Sequence, residues 1–319
     1  MPKPDIFDDL AVRFAAFAAE AHPESADRLI KALAPLLAKA RRGRGSVPNA
    51  LDAIRRPLKD ALRAAVPLNV PGGVRETTPG VRGSERMAQA ASAVLAACDG
   101  FVRREAIRAS LTEDERREIL RGMLLTRAVD NRLKAFFTGG EVRYGSASFQ
   151  GKGFRSLGQE AIYASAIRLK RGPAFHGEDG SWSGDIIAPL IRDVGAVIAM
   201  RPEPATLRMI LSSQMGKAGP PMDGKDLHIG DFAAGVLAAA APLAISAMSA
   251  AGLAMAFRLR GEQRVAVSYI GEGGTSLGEW HEAINLCAAR RLPAIFCVQN
   301  NQTALSTPVS DQSAVRVFA

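Results

Sequence analysis

Residues 265–301, VAVSYIGEGGTSLGEWHEAINLCAARRLPAIFCVQNN, restrict what this chain can fold into more than any other stretch. Val265 to Ile270 is an apolar, β-branched run of strand length. Gly271, Gly273 and Gly274 follow as a turn whose backbone can approach a neighbour closely, because glycine has no Cβ. Trp280, Ile284 and Leu286 to Ala289 suit a helix covering a sheet, and Arg290 and Arg291 suit its last turn. Pro293 marks the boundary before a second apolar strand, Ala294 to Val298. Strand, turn, helix, strand is a βαβ unit, so both strands run parallel and end on the same sheet edge. Ligands of open α/β sheets bind at that edge. Glu272 and Asn301, 29 residues apart, are therefore expected to face each other across one crevice. A carboxylate, an amide and backbone carbonyls are hard oxygen donors, the kind magnesium prefers when phosphates complete its octahedron.

Other chemistries fit this stretch less well. GEGGTS is neither GxGxxG nor a phosphate-binding loop with its Lys, and His281-Glu282 begins like HExxH but has Asn285 where the second His would stand. His281 is read as a helix residue hydrogen-bonded to a neighbouring turn. The chain has 319 residues, 47% of them hydrophobic and 23% charged, enough for a sizeable core and about two domains. Cys98, Cys287 and Cys297 lack metal-ligand spacing, and the last two sit in apolar element interiors, which suits a reducing compartment. MPKPDIFDDL has no basic start leading into an apolar run, so no secretory signal is expected and the cytoplasm is the expected location.

The net charge of +9 raises the question of a nucleic acid partner. Residues 1–110 carry eighteen Lys and Arg against twelve Asp and Glu, but the one tight cluster, RRGRG at 41–45, has no Trp or Tyr beside it for base stacking. A solvated loop is the reading, with no nucleic acid partner. Residues 232–257 contain no charge and pose the question of a membrane span. Alanine dominates the run and Pro242 interrupts it, which suits close packing inside a protein, so no membrane partner is expected.

Along the chain, residues 1–110 read as an α-helical N-terminal extension. Its segments are Asp8 to Ala21, Ser25 to Arg41, Pro48 to Val66 and Ser84 to Arg108, with loop chemistry over 67–83. It carries no motif, and is expected to be a helical decoration on the main domain. Residues 111–319 form the second domain. It opens with a helix in which Thr112 and Glu115 have capping-box spacing and Leu120, Met123, Leu124 and Leu133 keep a helical period.

Glu272, the long helix and Asn300-Asn301 resemble the thiamine diphosphate motif, usually written GDG followed by NN, with Glu272 standing where Asp is usual. The flanking words GEWHEAIN, LPAIF and QNNQTALSTP resemble the alpha subunit of decarboxylating 2-oxo acid dehydrogenases. That family implies an α/β thiamine diphosphate-binding fold with a largely parallel sheet flanked by helices. It implies thiamine diphosphate and Mg2+ as cofactors, the metal held by Glu272, Asn301 and the carbonyl of Thr303. PLIRDVG resembles the family's YRDHG, with Ile191 in place of Tyr, and assigns Arg192 to the diphosphate, a role for which the guanidinium fork is suited. Matching Pro242 to the proline of GIVGAQVPLGAGIALA assigns the backbones of Gly235 and Leu237 to the aminopyrimidine, and Gly271, Glu272, Gly273 and Gly274 line the cofactor turn. MGKAGPPMDGKDLHIGDF resembles a glycine-rich loop carrying a histidine, which makes His228 the candidate catalytic group on the substrate side. GKGFRSLGQEA resembles the loop before a pocket-wall helix, although Phe154 and its neighbours lack the family's aromatic or His pattern.

The activity implied is oxidative decarboxylation of a 2-oxo acid, pyruvate or a branched-chain one, with acyl transfer to lipoamide. An acetoin dehydrogenase alpha subunit is a further alternative, and a truncated, non-catalytic remnant or assembly module is the alternative of another class. The resemblance implies as partners a beta subunit or fused beta domain supplying the pyrimidine-activating Glu, and a lipoyl-bearing acyltransferase. It also implies further strands beyond Ala319, so the chain alone is expected to be inactive or nearly so.

Overall fold

The structure is a computed structural model that describes residues 6–43, 45–65, 79–148, 157–219, 223–224 and 228–314. The backbone divides into two compact units, Met1–Glu113 and Asp114–Ala319.

The first unit consists of four helices among its described residues: α1 (Ile6–Ala21), α2 (Ala26–Arg41), α3 (Val47–Ala65) and α4 (Gly83–Ala109). Each carries an apolar stripe at helical spacing. Leu10, Phe14 and Ala18 of α1 meet Leu29, Leu33 and Leu37 of α2, Leu51, Ile54, Leu58 and Leu62 of α3, and Val94, Cys98 and Phe101 of α4 in one core. Phe101 packs edge-on against Phe14 and stacks on Phe17. Burial pushes the Cys98 thiol up to about 11, so it behaves as a small apolar side chain. Between α3 and α4, Arg55 grips Asp99 through two parallel bonds of 2.8 Å, Nε to Oδ1 and Nη2 to Oδ2.

The Arg55 hydrogen bonds hold the Asp99 carboxyl below its ordinary range. A depressed folded-state value stabilises above the unfolded value of about 4 and is lost as pH falls through the folded one. Both side chains are about one-third exposed, so solvent screening limits the pair to about 0.5–1 kcal/mol. Asp99→Asn should lose that amount at pH 7 in urea unfolding, and the difference from the parent should vanish near pH 2.

The second unit opens with α5 (Glu113–Thr138) and a hairpin of β1 (Arg143–Tyr144) and β2 (Ala147–Ser148), followed by β3 (Ile186–Ala188), α6 (Val194–Met200) and α7 (Pro204–Gln214). Then come α8 (Ile245–Leu259), β4 (Ala266–Gly271), α9 (Gly278–Arg290), β5 (Ala294–Gln299), the hairpin β6 (Thr303–Ala304) and β7 (Thr307–Pro308), and the short α10 (Val309–Gln312). β3, β4 and β5 form a three-stranded sheet in that order, all parallel. Strand periodicity divides β4 between two helical layers. Val267 and Tyr269 join a core with Val129 and Leu133 of α5 and the wholly buried α6, whereas Ala266 and Ile270 pack with Ala247 and Ala254 of α8 and Trp280 and Ala283 of α9. The unit is thus an α/β layer structure, a parallel sheet with helices on both faces.

The expected βαβ unit is present, its strands Ala266–Gly271 and Ala294–Gln299 each reaching one residue beyond the run read from sequence. In the uncharged stretch 232–257 only the part from Ile245 is α-helical. Residues 232–234 form a 3-10 turn, and among the described residues no helix is long and apolar enough to cross a membrane. The Phe154 loop and much of the glycine-rich loop before His228 lie outside the described residues.

Candidate functional site

The register of the sheet builds the site. Gly271, the last residue of β4, lies opposite Gln299, the last residue of β5, so the chain beyond each strand leaves from the same edge. Glu272 follows on a 3-10 turn (Glu272–Ser276), and Asn300 and Asn301 follow β5.

Glu272 is 2% exposed. Its Oε2 accepts a hydrogen bond from the Asn301 N–H at 3.3 Å, while its buried Oε1 has no hydrogen-bond partner. The Asn301 Oδ1 accepts from the Thr303 N–H at 3.2 Å, which folds the chain back into the β6–β7 hairpin. Gln302 and Leu305 adopt left-handed conformations there, an arrangement that non-glycine residues reach only where their surroundings impose it. The structure therefore links Glu272 to Asn301 and Asn301 to Thr303 by consecutive backbone-to-side-chain hydrogen bonds.

Arg192 reaches the same edge from the segment between β3 and α6. Its Nε donates to the Gln299 Oε1 at 3.0 Å, and its Nη2 lies so close to Gly271 that a Cβ there would stand 2.9 Å from it. The Gln299 Nε2 in turn donates to the Asp193 carboxylate, whose other oxygen accepts the Leu190 N–H at 2.6 Å, and Gln159 Nε2 donates to the Gln299 Oε1 at 2.5 Å. Burial pushes the Asp193 carboxyl up to about 6, against the opposing pull of these hydrogen bonds and of the Arg192 charge.

The glycines of the turn make room for protein neighbours. A Cβ on Gly273 would lie 2.4 Å from the Ala304 Cβ, and one on Gly274 2.8 Å from the Ile270 Cγ1. Gly235 answers to both constraints that favour glycine: its φ is +71°, and a Cβ would lie 2.3 Å from the Trp182 Nε1. Val236 bridges to Ile187 in parallel, extending the sheet beside β3. In this ladder the Gly235 carbonyl accepts from the Ile187 N–H at 2.8 Å and the Leu237 N–H donates to the Ile187 carbonyl at 2.9 Å. The single N–H of Leu237 is thereby committed within the sheet. His228 is half-buried three residues before Asp231.

A cavity of about 650 Å³ lined by Glu118, Arg121, Tyr163, Arg171 and Pro202 includes none of these strand-end residues. Among the described residues no group of three or more His, Cys, Asp or Glu stands ready to hold a metal. A cation at the strand ends would rest on one carboxylate with amide and carbonyl oxygens, a set that suits a hard ion completed by phosphate. Gln299, Asp193 and Gln159 were not anticipated as site residues. The available signal for Gln299 was its register, since a polar residue closing an apolar strand opposite Gly271 must lie at the same edge.

The chain thus contains a parallel α/β unit that gathers a buried carboxylate, an amide and a guanidinium at its strand ends. Residues 156–319 match the family model described as dehydrogenase E1 component. The chain is also similar to the pyruvate dehydrogenase E1 component subunit alpha of Staphylococcus aureus, 32% identical over 224 residues, which are 69% of this chain and 52% of that protein. The protein of the same description from Bacillus cereus is 32% identical over 225 residues, and that of Staphylococcus epidermidis 31% over 224. The chain belongs to the dehydrogenase E1 component family, and it spans about half the length of the curated relatives it matches.

Two measurements check the site's physical description. Because the folded value for Asp193 lies above the ordinary carboxylate value, its stabilising contribution is full below about pH 4 and is lost as pH rises through about 6. Unfolding free energy should therefore fall across that window by up to about 3 kcal/mol relative to Asp193→Asn. Gly235→Ala should destabilise the chain by roughly 2–4 kcal/mol, through a strained φ and a displaced indole, with a shift in tryptophan fluorescence in the folded baseline.

Proposed function

We propose that this chain provides one half of a thiamine diphosphate and Mg2+ site in a 2-oxo acid dehydrogenase, within a thiamine diphosphate-type α/β fold. The single observation that carries the proposal is the buried Glu272 Oε1 without a hydrogen bond. An unsatisfied buried carboxylate oxygen costs several kcal/mol in order of magnitude, and a hard cation at that oxygen offsets the cost. The residues present thus fit the group. Glu272, the Asn301 amide oxygen and the Thr303 carbonyl hold the metal. Glu272 in place of the usual Asp keeps the charge and extends the arm by one methylene. Arg192 binds the diphosphate, and Gly271, Gly273 and Gly274 keep the turn narrow enough for that approach. At the far end of the cofactor, the Gly235 carbonyl has a second lone pair for the aminopyrimidine, and Leu237 contributes through its carbonyl, its N–H being spent on Ile187.

When bound, thiamine diphosphate supplies the carbanion chemistry of decarboxylation. This chain's residues orient it, neutralise its phosphates and exclude water, and His228 serves as a proton donor on the substrate side. The names of the relatives favour pyruvate over a branched-chain 2-oxo acid, and in this proposal the acyl group passes to lipoamide on an acyltransferase partner. A beta subunit or fused beta domain supplies the carboxylate that activates the pyrimidine, so the chain alone is inactive or nearly so. Cytoplasmic location, and a helical extension over residues 1–110 preceding a catalytic-type domain over 111–319, belong to the same proposal.

Calorimetric titration of thiamine diphosphate with Mg2+ tests it, on the chain alone and with a candidate beta subunit. Binding that appears with the partner and falls at least a hundredfold in Glu272→Ala and in Asn301→Ala is the expected outcome, since each removes a protein ligand of the proposed ion. Absence of binding under both conditions by folded protein would identify the chain as a non-catalytic remnant or assembly module.

A further inference from the structure

We propose that Gln299 is a positioning residue that sets the plane of the Arg192 guanidinium, with Asp193 as the anchor that fixes which way the Gln299 amide faces. Its consequence for ligand binding rests on the proposed phosphate role of Arg192; the positioning itself does not.

Gln299 is 8% exposed, so its amide must find partners inside the protein. Their chemistry allows one orientation. A guanidinium only donates and an ionised carboxylate only accepts. The Gln299 oxygen therefore faces Arg192 Nε and Gln159 Nε2, and its NH2 faces Asp193. The reversed amide would set NH2 against a guanidinium and oxygen against a carboxylate. Asp193 cannot turn to accommodate that, because the Leu190 N–H holds its other oxygen and the residue has no solvent exposure. The relay thus runs from the β3–α6 segment through Asp193 to the end of β5 and back to Arg192.

The atom engaged on Arg192 gives the relay its consequence. The guanidinium is planar, so a bond at Nε fixes the direction of the remaining N–H groups. In this plane Nη2 lies against Gly271, at the mouth of the turn that carries Glu272. Gln299 thereby aims a cation at the turn that carries Glu272, and phosphate binding by a planar fork depends on such aim.

The test uses the full chain and five variants, with two independent readouts. The first is the NMR signal and hydrogen-exchange rate of the Arg192 Nε–H. Gln299→Leu should accelerate its exchange at least tenfold, and Gln299→Glu combined with Asp193→Asn, which exchanges donor and acceptor roles between the two, should restore slow exchange. Gln299→Glu alone, which sets two carboxyl groups against each other, should not. An Arg192 signal unchanged in Gln299→Leu overturns the proposal whatever the chain binds. If that variant does not fold, the contrast between Gln299→Glu and the double variant decides it, equal exchange rates in the two being the overturning result. The second readout is affinity for inorganic pyrophosphate with Mg2+. Gln299→Leu should weaken it about tenfold, as expected for loss of one charge-assisted hydrogen bond, and should have no further effect in an Arg192→Ala background. A full additional loss in that background would show that Gln299 acts independently of Arg192 and would overturn the proposal. Failure of the parent chain to bind pyrophosphate, with exchange behaving as expected, would count against the cofactor reading and leave the positioning role established.

Discussion

Everything assembled at the candidate site depends on the parallel pairing of β4 with β5. Because the strands run in the same direction and Gly271 lies opposite Gln299, the residues that follow each strand emerge side by side. A slip of β5 by one residue would turn Phe296 and Val298 away from α8 and α9 and carry Gln299 to the wrong face. The apolar alternation that builds the two helical layers is thus the same constraint that aligns the polar strand ends. Packing and site geometry are set by a single register.

That alignment concentrates polar groups where water is scarce. Glu272 and Asp193 are both buried carboxyl groups, and their surroundings resolve the cost differently. Asp193 is met by a backbone N–H and the Gln299 amide, a closed arrangement whose remaining penalty appears as its raised protonation range. Glu272 has one oxygen on the Asn301 N–H and one with nothing. Two carboxylates at one sheet edge therefore differ in kind: the first has both oxygens hydrogen-bonded, while the second has one oxygen without a hydrogen-bond partner. Burial alone would not separate them; the census of their hydrogen bonds does.

The helices of the first unit were legible because Leu, Phe and Ala recur at one-turn spacing, and the βαβ unit because glycines and Pro293 punctuate its apolar runs. The meeting of Glu272 with Asn301 followed from strand direction. Three things could not be read. Gln299, Arg192 and Asp193 are linked across more than a hundred residues, and no local pattern encodes such a partner. The commitment of the Leu237 N–H to Ile187 depends on a sheet extension made by an isolated bridge with no strand-like run around it. In residues 232–257, lack of charge conceals the change from turn to helix, and Phe232, Leu243, Ile245 and Met248 stay exposed within it.

The β5 strand closes the sheet on one side, and among the described residues no further strand pairs with it. Ile295 on this strand is 49% exposed, and neither lysine nor an internal proline interrupts the run from Ala294 to Gln299. Proteins ordinarily shield such a margin with charges, bulges or a covering element, because unpaired backbone donors and acceptors recruit other chains. The strand that presents Gln299 and Asn301 to the site is therefore also the one most open to intermolecular pairing. Among the described residues, the outer edge of β5 is where a further strand, of this chain or of another, would find its backbone partners.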